Sequence, residues 1–226
     1  MLSMLSLYLL RSSVAVGSTP KIVCKDGERE ALLKFKDNLY DNYSRLSSWG
    51  KEEKKRECCR WAGIQCDYKS GHVISLDLSP FWPVRGKTFN SSLIELHYLS
   101  YLDLSTVDFS GNQIPSFLGE MTSLEHLDLG YTNLEGPVPE TFGNLTALVH
   151  LDLSGNNLEG EIRKSPIWSI CTLRTLSLSD NNFRGVQVLS ELSDHKSFFK
   201  CTNYSLEILG LSGNSITGFF LNPSLF

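Results

Sequence analysis

The chain has 226 residues, 41% of them hydrophobic and 20% charged, a composition that excludes wholesale disorder and supplies enough apolar side chains for a sizeable core. Its formal charge of -4 and pI near 5.7 leave no basic footprint to neutralise phosphates, so no nucleic-acid partner is expected. Residues 1–17 open on an apolar run from Leu2 to Leu10, followed by the small-residue site Ala15-Val16-Gly17, so a signal peptide is expected there. It is atypical, because no Lys or Arg precedes the run and Arg11 interrupts it. No later stretch approaches the roughly 20 apolar residues that cross a bilayer, so no membrane span is expected beyond it. Secretion makes disulfides reasonable, and the six cysteines agree in being even in number, four of them within residues 24–66.

Residues 24–66 read as a cap. Asp26 is placed to N-cap a helix through GEREALLKFKDNL, in which Leu32, Leu33, Phe35 and Leu39 form an apolar stripe. LSSW then supplies Trp49, and CCRWAGIQC supplies Trp61 beside Cys58, Cys59 and Cys66. Cys58 and Cys59 are adjacent and so poorly placed to bond each other, which gives each a different partner. The charged run KEEKKRE at 51–57 reads as a solvated loop.

From residue 71 to 226 the chain repeats. LDL recurs at 76–78, 102–104, 127–129 and 151–153, then becomes LSL at 176–178 and LGL at 209–211. The first leucines are 26, 25, 24, 25 and 33 residues apart; four intervals match a leucine-rich repeat, and the fifth carries an insertion at 186–203. Leucines two apart face one side of a strand, so each unit begins with a short strand whose leucines enter the core. Asn156, Asn181 and Asn214 stand where the chain leaves the last three strands, and a buried amide there can satisfy turn backbone, at about 1–3 kcal/mol each if lost. Phe81, Val107 and Thr132 take that place earlier. Pro115, Pro137, Pro139 and Pro166 lie in the segments that follow, which are therefore expected to be irregular returns. The fold class is an α/β repeat: a right-handed leucine-rich-repeat solenoid with short parallel strands on its concave face. Such a stack needs a terminal cap, the role given to residues 24–66.

The wording C-x-x-x-ERxALLxFKxxL, LSSW, CCxW-x-G-x-x-C and GHVISLDL resembles the amino-terminal cap of plant leucine-rich-repeat receptor-like proteins and receptor-like kinases. The resemblance covers residues 24–221. It implies Cys24 bonded to Cys58 and Cys59 to Cys66, where the four cysteines alone allow three pairings. The segment GVQVLSELSDHKSFFKCTNYSLEIL resembles receptor-like proteins of the xylanase-receptor and disease-resistance type, and Cys171 and Cys201 match cysteine positions there. They are read as bonded across neighbouring repeats or, alternatively, as two buried thiols. Sequons at Asn42, Asn90, Asn144 and Asn203 are candidate glycosylation sites in a secreted chain. The resemblance implies a module, secreted or on the extracellular face of the plasma membrane, that recognises a peptide, protein or glycan ligand in immunity or development. In the full-length family a co-receptor kinase is the implied signalling partner. The alternative is a secreted inhibitor of a cell-wall hydrolase, similar to polygalacturonase-inhibiting proteins. The ending LNPSLF falls inside the sixth return, so a truncated gene model is expected first and a short functional form second; Phe219, Phe220, Leu221 and Leu225 would then lie near an uncapped apolar end.

No GxxxxGK[ST], GxSxG or HExxH occurs, so neither enzyme activity nor a cofactor is expected. Asp77, Asp103, Asp128 and Asp152 form a column that could suggest calcium. Ser177 and Gly210 continue it without carboxylates, so the reading is a solvated face with no pocket to raise a pKa. His126 and His150 precede core leucines in successive strands, with Tyr101 before them and Thr175 after. Adjacent strands about 4.8 Å apart make such rings neighbours. Zinc needs three or four ligands with a supporting shell, which this row does not evidently supply, so a contact stripe is favoured over a metal site. The ligand-contact residues expected are Tyr101, His126, Asp128, Tyr131, His150, Asp152 and Arg174, which combine aromatic area with hydrogen-bonding heads.

Overall fold

A computed structural model describes residues 23–186, 201 and 205–217. The expected signal segment, most of the insertion, the Asn203 sequon and the apolar end at 219–225 lie outside the described residues. Seven short strands make the concave sheet: β1 (Ile64–Cys66), β2 (Val73–Asp77), β3 (Tyr101–Asp103), β4 (His126–Asp128), β5 (His150–Asp152), β6 (Thr175–Ser177) and β7 (Ile208–Gly210). They lie in chain order; β1 is antiparallel to β2 and the remaining pairs are parallel. The register is unshifted from repeat to repeat, with Leu76, Leu102, Leu127, Leu151, Leu176 and Leu209 side by side. A slip of one residue would turn these leucines out to water, so burial itself fixes the register.

The returns are more regular than expected. Four of them carry 3-10 turns, at Ser91–Glu95, Ser116–Glu120, Glu140–Asn144 and Pro166–Ser169. Their apolar residues recur every third position: Leu93, Leu96 and Leu99; Leu118, Met121 and Leu124; Phe142, Leu145 and Leu148; Ile167, Ile170 and Leu173. All are buried. Three residues per turn is the 3-10 period, so one side of each return faces the strand leucines, and backbone bonds such as Leu96 N–H to the Leu93 carbonyl follow the same step. A second parallel sheet of four short strands, Glu135–Gly136, Asn157–Glu161, Asn182–Val186 and Ser215–Thr217, runs just beyond the turns. Each fully buried leucine contributes about 1.5–3 kcal/mol, and the interior is a leucine stack held between strand and return.

At the amino-terminal end the helix α1 (Asp26–Lys36) buries Ala31, Leu32, Leu33 and Phe35. Asp26 does not cap it. Lys25 holds the N-cap position without a side-chain bond, and Asp26 lies inside the first turn, paired with Arg29 at 3.3 Å. A carboxylate there still meets the positive end of the helix dipole. The helix is tied to the first repeat by Glu28, a buried carboxylate that accepts from the Val73 N–H at 2.8 Å and lies 2.8 Å from His72 Nδ1. Trp49 and Trp61 stack at 5.3 Å, and their ring N–H groups donate to the carbonyls of Ala62 and Lys55. Disulfides join Cys24 to Cys58, Cys59 to Cys66 and Cys171 to Cys201. The loop 51–57 is less idle than its charge suggests, because Glu57 accepts from the N–H groups of Cys24 and Cys59.

Candidate functional site

Where the strands end, the asparagines of the last three described turns are internal. Asn156 is buried, and its Oδ1 accepts from Thr132 N–H, Leu134 N–H and the Thr132 hydroxyl. Its Nδ2 donates to the carbonyls of Leu129, Leu153 and Ser154. Asn181 and Asn214 repeat the pattern, accepting from Leu158 N–H and Phe183 N–H. One repeat earlier Thr132 fills the place, and its one hydroxyl proton is shared between the Leu129 carbonyl at 2.7 Å and Asn156 Oδ1 at 2.9 Å. This row joins neighbouring repeats, with Thr132, Asn156 and Asn181 buried and Asn214, in the last described repeat, half-buried.

The outward row of the concave sheet differs. Ser75, Tyr101, His126, His150, Thr175 and Ile208 stand side by side. The three rings form one stack: Tyr101 on His126 at 4.1 Å and 8°, His126 on His150 at 4.3 Å and 3°. The parallel register does this, because identical strand positions repeat at the interstrand spacing, close to the thickness of stacked rings. His126 is half-buried between its neighbours, and its Nε2 is shielded from water without a hydrogen-bond partner. Burial, with His150 beside it, holds the His126 imidazole below its ordinary pKa, and the surrounding aspartates only partly oppose this. Burial also raises the Tyr101 phenol, helped by the charges of Asp103, Asp77 and Asp128.

Two residues further along each strand lie Asp77, Asp103, Asp128 and Asp152, on the same face as the rings. The solvated reading of this column needs correction. Asp103 is buried, and each carboxylate accepts a backbone N–H two residues on: Ser79, Ser105, Gly130 and Ser154 respectively. Ser79 and Ser154 add a hydroxyl to Asp77 and Asp152. Asp128 faces Gly130 instead and receives the backbone bond alone. Burial pushes its carboxyl up to about 6; the Gly130 hydrogen bond opposes the rise, and the charges of Asp103, Asp152 and Asp77 add to it. A raised carboxyl pKa was not expected on an open face. The cause is the stacked register, which sets Asp128 between the carboxylates of Asp103 and Asp152 and displaces the water that would solvate it.

Tyr131 and Arg174 sit apart from the stack. Tyr131 is exposed at the strand exit with a left-handed backbone, and its ring lies over Gly155, where a Cβ would collide with it. Arg174 stands at the opposite end, immediately before β6, exposed and paired with Glu207 at 3.2 Å. The site thus brings together Tyr101, His126, Asp128, His150 and Asp152, flanked by Tyr131 and Arg174. His126, Asp128 and His150 each present a possible ligand atom, all within 4.8 Å of one another, a third donor that the two-histidine reading had missed. Cys24, Cys58 and Cys59 also cluster, but disulfides occupy their sulfurs. Of the sequons, Asn42 and Asn144 are exposed, whereas the Asn90 amide is engaged by Ser92 N–H and the Lys34 carbonyl.

Comparison with known proteins agrees with this architecture. The leucine rich repeat N-terminal domain model matches residues 25–67, and leucine rich repeat models match 97–158 and 172–194. Receptor-like protein EIX1 of Solanum lycopersicum is 43% identical over 93% of the chain, which spans 18% of that protein. A chain in the crystal structure of the BIR3–SERK2 complex from Arabidopsis thaliana superposes with a TM-score of 0.67 at 32% identity, covering 83% of this chain and 94% of that one. A chain in the structure of the Arabidopsis receptor kinase HAESA with the peptide hormone IDA and the co-receptor SERK1 gives 0.61 at 28% identity, covering 84% and 34%.

Proposed function

The chain belongs to the plant leucine-rich-repeat family whose members include receptor-like proteins and receptor-kinase ectodomains, and from that premise we propose that it is an extracellular ligand-recognition module. The face that binds is the concave row of Tyr101, His126, Asp128, His150 and Asp152, with Tyr131 and Arg174 at its two ends. The observation that carries this reading is the contrast in hydrogen bonding. The turn amides are spent inside the fold, while the concave row holds half-buried stacked rings and carboxylates, and among the described residues His126 Nε2 and Asp128 Oδ2 have no hydrogen-bond partner. Aromatic and charged groups held rigid on a sheet lose little freedom on binding, which favours affinity. A peptide, protein or glycan laid across the strands, along the stacking direction of the repeats, would meet hydrogen-bonding heads from several repeats at once. The curated relative is a receptor-like protein, and one structural relative is solved with a peptide hormone and a co-receptor. Immune or developmental signalling through a co-receptor kinase is the role proposed for proteins of the relatives' full length, of which this chain spans 18% in the case of EIX1. A catalytic role is not proposed.

The test is selection of binders from a random peptide library and a glycan array on the purified chain, repeated with Tyr101→Ala and His150→Ala. Binders that weaken roughly tenfold or more on these variants support the concave face, consistent with truncation of contact hot spots. Binders that keep full affinity contradict it. Assaying the chain against a fungal xylanase and a polygalacturonase adds the decisive contrast, because inhibition of either enzyme would establish the inhibitor reading instead.

A further inference from the structure

The concave row contains a donor set that neither the fold nor contact with a peptide requires. His126 and Asp128 are two residues apart on β4 and so share a face, and His150 stands opposite His126 on β5. Their ligand atoms form a triangle, all within 4.8 Å of one another. These donors are not consumed elsewhere. The Nε2 of His126 is shielded from water and has no hydrogen-bond partner among the described residues. Asp128 uses Oδ1 for the Gly130 N–H at 2.8 Å, and among the described residues nothing bonds Oδ2. Asp103 and Asp152 flank it in register, so negative charge accumulates where an ion would sit.

We propose that His126, Asp128 and His150 form a binding site for a divalent transition-metal ion of the zinc type on the concave face. Two imidazoles and one carboxylate are the donor number and chemistry of a zinc site that keeps an open position, whereas calcium and magnesium take oxygen donors almost throughout. Zinc to nitrogen or oxygen distances of about 2.0–2.2 Å set the donors of one ion roughly 3.5 Å apart, so the three side chains must close in by about an ångström. The imidazoles, parallel within 3°, swing out of their stack to do so, by rotation about their own side-chain bonds. The open position then faces solvent above the sheet. This site stands on the donor triangle alone, and the recognition role of the concave face survives its failure.

Isothermal titration of zinc chloride into the purified chain, in a non-chelating buffer near neutral pH, tests the site. The variants are His150→Gln and Asp128→Asn, each checked for its fold by circular dichroism. Both are conservative: Thr175 shows that a polar non-ring side chain fits the row, and asparagine keeps an acceptor for the Gly130 N–H. The expected result is one zinc per chain, with binding roughly tenfold or more weaker in each variant. Cobalt(II) should give the visible absorption of a low-coordinate ion in the parent chain and lose it in both variants. Absence of saturable zinc binding, or equal affinity in parent and variants, would overturn the proposal; the second result would place the ion elsewhere, for example at His72, His97 or His195.

Discussion

Two polar rows run along this solenoid, and they are built from opposite bargains with water. At the turns, Asn156 is buried and hydrogen-bonded through both its oxygen and its nitrogen to its own turn and to the repeat before it. On the concave sheet, His126 and Asp128 come from an adjacent part of the same repeats, yet one ring nitrogen has no partner and one carboxylate has a single backbone bond. Both rows arise from the same cause, identical residues stacked at strand spacing. The difference is whether the repeated group finds complementary partners in the next repeat or another copy of itself. Amides complement backbone, whereas carboxylates beside carboxylates do not. The first row therefore stabilises the fold, and the second leaves polar groups without partners at some expense in stability.

The largest effect should come from the satisfied row. Asn156→Ala removes the acceptor of two backbone N–H groups, Thr132 and Leu134, and the donor to three carbonyls, so a loss of about 3 kcal/mol or more is expected in urea unfolding. A loss below about 1 kcal/mol would erase the contrast between the rows.

A smaller effect of opposite sign is expected at Asp128. Its carboxyl stands at about 6 against an ordinary 3.8. Between those values the folded chain holds a proton that the unfolded chain has released, so this group makes stability fall as pH rises through that window. Asp128→Asn should abolish that fall and, at pH 7 with metal chelated, raise stability by about 1 kcal/mol, less than the whole shift implies because the carboxylate retains partial contact with water. A variant less stable than the parent at pH 7 would show the carboxylate to be structural. Gly130→Ser refines the same point, because Ser154 and Ser79 give a hydroxyl to their aspartates and Gly130 cannot. The added hydroxyl should lower the Asp128 pKa, seen as a shifted carboxyl titration by NMR. Its Cβ would lie 3.1 Å from Asp128 Oδ1, so the gain in stability should be slight.

Much of this was legible in the sequence, and the remainder has definite reasons for escaping it. The leucine pairs and the asparagine turns repeat at fixed offsets, so comparing repeats assigns Leu151, Leu153 and Asn156 without a structure. The 3-10 returns are equally present in the sequence, as Leu93, Leu96 and Leu99 or Phe142, Leu145 and Leu148, but the prolines in these segments read as irregular backbone and mask the three-residue period. The short second sheet has no such pattern, since Asn157–Glu161 is paired only because its repeat is stacked on others. Burial of Asp103 also depends on the neighbours, Tyr101 among them, and alternation within one strand reads it as outward. The donor triangle was missed by looking across the strands alone. Asp128 lies along the strand from His126, and the period of two places them together.

The central claim is that the concave row serves binding and the turn row serves the fold. Urea unfolding of a His126→Gln/His150→Gln double variant, in metal-free buffer beside Asn156→Ala, tests it most directly. The expected unfolding free energy of the double variant lies within about 0.5 kcal/mol of the parent's, as for surface substitutions. A loss as large as that of Asn156→Ala would make the ring stack a structural element and contradict it.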